Sequence, residues 1–177
     1  NAICIHNPAT FENIENTSEC TNKIVIAVGR YTYQKGFDLL LKAWKEVARQ
    51  HPDWELQIYG SGDRQPYLDL ADELGITATC QLHPATNDIP ARLAESSLLV
   101  LSSRYEGMPL VLGEAMACGV PPVAFACPCG PRDIIQDGVD GLLVENGNIA
   151  QLTEKISYLI EQDELRKEMG KQALQSI

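Results

Sequence analysis

Positive charge is scarce in this chain of 177 residues, where 14 Lys and Arg face 24 Asp and Glu for a formal charge of −10. That balance argues against nucleic acid or anionic lipid as a partner of the whole surface, yet leaves cations to be focused locally on a small anion. Long apolar runs are missing too. No stretch approaches the roughly 20 residues needed to cross a membrane, and no basic segment leading into an apolar one opens the chain, so no signal peptide is expected. The six cysteines, Cys4, Cys20, Cys80, Cys118, Cys127 and Cys129, show no C-x-x-C spacing, and no histidine lies close to Cys127-Pro-Cys129. Structural zinc and a disulfide framework therefore give way to free thiols in a reducing cytoplasm. What remains is ordinary globular composition, 45% hydrophobic and 21% charged, enough for one well-filled domain. A first residue that is Asn rather than Met is read as the start of a piece of something longer.

From residue 24 onward, strand and helix signals alternate. "KIVIAVG" is a short β-branched run closed by Gly29, and "GFDLLLKAWKEVARQHPD" sets Phe37, Leu40, Leu41, Trp44, Val47 and Ala48 on one helical face before His51-Pro52. "WELQIYG", "ATCQLH", "SLLVLSS", "PPVAFAC" and "GLLVE" read as five further strands, separated by helices such as "DRQPYLDLADELG" and "PLVLGEAMACG". Two helices after residue 148 finish the chain. Apolar strands alternating with amphipathic helices predict an α/β fold, a doubly wound, Rossmann-like parallel sheet of six strands with helices on both faces. Residues 1–23 are less regular and read as a linker or entering strand, leaving 24–177 as the domain. In such a sheet the ligand lies at the carboxyl ends of the strands, near the point where strand order reverses. The loops to search are 29–36, 60–64, 83–88, 102–109, 126–131 and 144–148.

Two of these loops hold the promising chemistry. "GRYTYQKG" follows the first strand: Gly29 permits close backbone approach, and Arg30 with Lys35 forms a candidate phosphate clamp. It contains neither G-x-G-x-x-G nor G-x-x-x-x-G-K-[ST], so it is neither a dinucleotide fingerprint nor a P-loop. In "SSRYEGMPLVLGEAMACG", Glu106 precedes a helix start at Pro109, whose free N–H groups and dipole favour an anion. Glu114 stands a turn and a half into that helix among Leu110, Val111, Leu112, Ala115 and Met116. A carboxylate there needs donors, and a ribose diol has two at suitable spacing.

"SSRYEGMPLVLGEAMACGVPPVA" resembles the E-x7-E segment of the retaining GT-B glycosyltransferases of group 1 type. "VGRYTYQKGFDLLLKAW", "LQIYGSGDR", "CPCGPRDII" and "GVDGLLVENGN" fall in register with the donor-binding C-terminal half of that family, over roughly residues 1 to 165. The resemblance implies that Arg30 and Lys35 grip the donor diphosphate, that Glu106 contacts donor-sugar hydroxyls, and that Gly107, Met108, Pro109 and Leu110 meet sugar and phosphate through their backbone. It implies that Glu114 holds the ribose, that Gly29 lets the diphosphate approach, and that the loop around His83-Pro84 meets the base. Glu106, Arg30 and Lys35 are the expected catalytic groups, with no metal and no cofactor, the nucleotide diphosphate sugar being a co-substrate. The implied activity is transfer of a hexose or N-acetylhexosamine, from a donor expected to be UDP-linked, to a saccharide or lipid-linked acceptor in surface polysaccharide synthesis. The expected partners are that donor and an N-terminal acceptor domain, which "NAICIHNP" resembles the linker to and which the sequence does not contain. Membrane contact, at the inner face, would belong to that missing half of a cytoplasmic enzyme, and the isolated chain is expected to turn over little or nothing. The competing readings are a nucleotide-sugar epimerase of the same architecture and a non-catalytic docking module.

Overall fold

The computed structural model describes residue 14 and residues 16–177; Cys4 and most of the expected linker, including its first eight residues, lie outside them. Among the described residues before Ile24 no strand forms, and the chain instead runs along the rear of the domain, where the Ser18 N–H donates to Cys118 O at 2.7 Å.

Six parallel strands follow: β1 (Ile24–Val28), β2 (Glu55–Gly60), β3 (Cys80–Pro84), β4 (Leu98–Leu101), β5 (Pro122–Phe125) and β6 (Leu142–Val144). Seven helices connect and close them: α1 (Phe37–Gln50), α2 (Gln65–Glu73), α3 (Ile89–Ala94), α4 (Leu110–Ala117), α5 (Pro131–Ile134), α6 (Ile149–Glu161) and α7 (Asp163–Ser176). The sheet order is β3-β2-β1-β4-β5-β6 with every pairing parallel. This is the doubly wound Rossmann-like sheet that the sequence predicts.

Period-two alternation divides the core. Val25 and Ala27 of β1 face α1 and α6, packing with Leu40, Trp44, Leu152 and Ile156. Ile26 between them faces α3 and α4, packing with Leu93, Leu112 and Ala115. Each such aliphatic side chain contributes roughly 1.5–3 kcal/mol by leaving water. Helix α1 stops where the residue before Pro52 is steered out of helical geometry. At its start Gly36 takes φ +63, and a Cβ there would stand 2.0 Å from Ser102 O. That close approach presses the end of the β1 loop onto the end of β4.

The order matters for the site. Going from β1, the chain builds outward through β2 and β3, then returns to place β4 on the other flank of β1. The reversal falls between β1 and β4, so the loops 29–36 and 102–109 lie side by side at the carboxyl edge, where an open α/β sheet receives its ligand.

Candidate functional site

Backbone contacts weld these two loops. The Arg104 N–H donates to Gln34 O at 2.8 Å, and Gln34 Nε2 donates to Tyr105 O at 3.1 Å. Ser102 Oγ donates to Lys35 O at 2.9 Å. Arg104 forks onto Asp38 at 2.9 and 2.7 Å, and its guanidinium lies 3.8 Å from the centre of the Tyr33 ring. Hydrogen bonds from Arg104 hold the Asp38 carboxyl below its ordinary range.

Inside this frame Lys35 and Glu106, 71 positions apart, form an ion pair at 2.7 Å. Their side chains are 17% and 5% exposed, so the pair is largely withdrawn from water. Ser103 Oγ donates to the same carboxylate oxygen, Oε1, at 2.5 Å. The Lys35 stem crosses Gly29 so closely that a Cβ there would meet its methylenes at 3.0–3.2 Å. Any larger residue at position 29 would make the lysine stem shift by a few tenths of an ångström where it crosses the strand end.

The remaining predicted residues lie on the same two loops and on α4. Arg30 is exposed, and its guanidinium makes no hydrogen bond or ion pair among the described residues. Gly107, Met108 and Leu110 are exposed while Pro109 is buried, capping α4 from the N-terminal side. Loop 126–131 closes against this turn: Gly130 has φ +84, and a Cβ on it would stand 2.5 Å from Pro109 Cδ. The Cys127 thiol lies beside Glu106, and burial, reinforced by that charge, pushes it up. Glu114 is half-buried, one turn beyond the exposed Leu110 on the less covered face of α4. Its carboxylate accepts no hydrogen bond among the described residues, and burial raises its pKa above the ordinary value of 4.5. Neither Arg30 nor Glu114 bonds to the Lys35–Glu106 pair.

The structure also supplies residues that sequence reasoning missed. Ser103, Asp38 and Arg104 carry no motif of their own, and Arg104 sits unmarked inside the segment that drew attention for its glutamates. His83, the last residue of the expected strand "ATCQLH" and the first of the loop 83–88, lies within β3. Strand β3 runs through Pro84, and the imidazole stacks on Tyr59 with ring centres 4.5 Å apart. Burial lowers its pKa from the ordinary 6.5, and its Nε2 is buried without a partner. Five cysteines, Cys20, Cys80, Cys118, Cys127 and Cys129, are free thiols. No described helix is long and apolar enough to cross a membrane.

Residues 10–176 match the family model described as glycosyl transferases group 1. An uncharacterized glycosyltransferase of Haemophilus influenzae is 39% identical over 171 residues, which is 96% of this chain and 48% of that protein. The amylovoran biosynthesis glycosyltransferase AmsD of Erwinia amylovora is 35% identical over 153 residues, covering 86% of this chain and 42% of its own. Among solved structures, a TarM mutant of S. aureus in complex with fondaparinux, alpha-GlcNAc-glycerol and UDP superposes with a TM-score of 0.86 at 31% identity, over 100% of this chain and 35% of that one. The chain therefore spans about half or less of the length of the relatives it matches. With a matching family model over nearly its whole length, this chain belongs to the group 1 glycosyl transferases.

Proposed function

We propose that this chain is the donor-binding module of a retaining glycosyltransferase that takes a hexose or N-acetylhexosamine from a UDP-linked donor for surface polysaccharide synthesis. The observation that carries this reading is the Lys35–Glu106–Ser103 cluster over Gly29, at the reversal of strand order and beside the start of α4. UDP bound to the TarM relative and the amylovoran biosynthesis in the name of the Erwinia relative support the substrate class. In this reading Glu106 faces the sugar, Glu114 the ribose, and the start of α4 the diphosphate. During transfer the bond between the anomeric carbon and the β-phosphate oxygen breaks and its electron pair goes to the departing UDP; an acceptor hydroxyl oxygen bonds to that carbon from the same face, and its proton passes to the departing β-phosphate oxygen. Negative charge grows on the diphosphate. Lys35 is already neutralised by Glu106, so Arg30 and the free N–H groups at the start of α4 supply the surplus positive potential, and no metal ion is needed for it. The acceptor, and any membrane contact, belong to the part of the enzyme that this chain does not contain, so the module alone binds without turning over.

The test is calorimetry and thermal stabilisation of this chain with a panel of nucleotide sugars. UDP compounds are expected to bind saturably, and Glu114→Ala to weaken UDP by about 1–3 kcal/mol, the loss of hydrogen bonds to a charged acceptor. Folded protein that shows neither heat nor stabilisation at millimolar UDP overturns the reading. Conversion of a UDP-sugar to its epimer without acceptor would instead establish the epimerase.

A further inference from the structure

The two oxygens of Glu106 are treated differently by the fold. Oε1 accepts from Lys35 Nζ at 2.7 Å and from Ser103 Oγ at 2.5 Å. Oε2 accepts from no described residue. Ser103 is 1% exposed, on a segment that leaves β4 already fixed, since its neighbour Ser102, also 1% exposed, holds the Lys35 carbonyl. Consecutive serines thus fix the two members of the ion pair, one by its backbone and the other by its carboxylate. The anchors are unequal in stiffness. Lys35 carries its charge on a long, flexible stem, whereas a serine hydroxyl has a single rotor and its backbone lies three residues from the acid it holds.

We propose that Ser103 is a positioning residue for the sugar half of the donor: it shares Oε1 with Lys35 and so leaves Oε2 as the oxygen that accepts a donor-sugar hydroxyl. This rests on the reading of Glu106 as a sugar-binding group. The arrangement has a particular consequence when a diphosphate arrives. The anion draws on the remaining N–H donors of the Lys35 ammonium, which is then shared between phosphate and Glu106 on a flexible stem and fixes the carboxylate less firmly. The serine hydroxyl has no competing anion within reach of its short arm, so it keeps the carboxylate oriented while the lysine is shared. A ligand that has the diphosphate but no sugar does not use Oε2 and gains nothing from Ser103.

The two ligand types therefore separate positioning from mere structural support. Calorimetry of this chain with UDP, UDP-glucose and UDP-N-acetylglucosamine measures the ratio of UDP-sugar to UDP affinity for the wild type, Ser103→Ala and Glu106→Gln. Ser103→Ala is expected to lower that ratio about tenfold, the size of one charge-assisted hydrogen bond, with UDP itself unchanged within about twofold, a margin that is small beside a tenfold step. An unchanged ratio in Ser103→Ala, or an equal loss for UDP and its sugars, overturns the proposal. Should the alanine variant fail to fold, Ser103→Cys, close in volume and a weak donor, puts the same question. Glu106→Gln separates the two levels. If it leaves the ratio unchanged, the sugar role of Glu106 falls and the serine's with it. If it lowers the ratio and Ser103→Ala does not, only the serine's role falls. A wild type that binds none of the three compounds refutes the proposed function itself.

Discussion

Lys35 and Glu106 are unequally able to survive alone. The carboxylate is 5% exposed on a short stem, so removing its partner strands a charge out of water. The ammonium is 17% exposed on four methylenes and can swing toward solvent. Lys35→Ala is therefore expected to lower unfolding free energy by about 3 kcal/mol, and Glu106→Gln by no more than about 1 kcal/mol, with Ser103 still bonded to the amide. Urea unfolding reads the difference; equal losses would mean that the pair is more open to water than its burial implies. Glu114 makes a prediction of the opposite electrostatic kind. Its folded pKa is raised above 4.5 by burial, so the native state binds more protons in the window just above that value. Its contribution to stability is present below the unfolded pKa and is lost as pH rises through the folded one. Glu114→Gln should flatten this fall above about pH 4.5, while wild-type UDP affinity should rise with pH over the same range as the acceptor ionises. A pH series of melts and titrations checks both signs. In the sequence both glutamates were visible, because a carboxylate beside Pro109 and another in an apolar run are each locally odd. Their partners were not. Ser103 is one serine among many, and Lys35 meets Glu106 across 71 positions only because β1 and β4 are neighbours.

Strand order is the link that local patterning does not carry. The six strands and the helices between them follow from β-branched runs, helical periodicity and the Gly and Pro punctuation, all short-range signals. Whether β4 pairs with β1 or with β3 depends on which edge buries more apolar surface, and that is a property of the assembled sheet. Once β4 lies against β1, the loops must touch, and Gly36 is the residue that lets them. With φ +63 and Ser102 O only 2.0 Å from the position of a Cβ, Gly36→Ala meets a backbone atom that cannot move without unseating the end of β4. Gly75 is the internal comparison, at φ +69 with nothing within 4 Å of its Cβ position. Gly75→Ala should cost only the conformational part, about 1 kcal/mol. Gly36→Ala should cost several times more and weaken UDP-sugar binding as well, since it pushes apart the loops that hold Lys35 and Glu106. Similar melting temperatures for the two variants would show that loop contact does not depend on this glycine.

Across the whole molecule, stability and binding are assigned to opposite ends of the sheet. The amino ends of the strands are tied together by Arg166, a charge only 3% exposed. Its guanidinium donates to the carbonyls of Cys20, Leu159 and Ile160 and to Asp163, and lies 5.1 Å from the Trp54 ring centre. One side chain thus joins the segment before β1, the start of β2, the last turn of α6 and the first of α7. It satisfies helix-end carbonyls that would otherwise be buried without donors. Arg166→Met keeps much of the stem's volume and removes every one of these bonds, which should lower stability by about 3 kcal/mol or more. The proposed donor site stands at the other edge, where none of these groups reaches. For the protein that remains folded, UDP affinity should therefore match the wild type within error. A calorimetric titration well below the lowered melting temperature decides it: a fall in affinity would mean that the packing of α6 and α7 at the rear is transmitted through the sheet to the loops after β1 and β4.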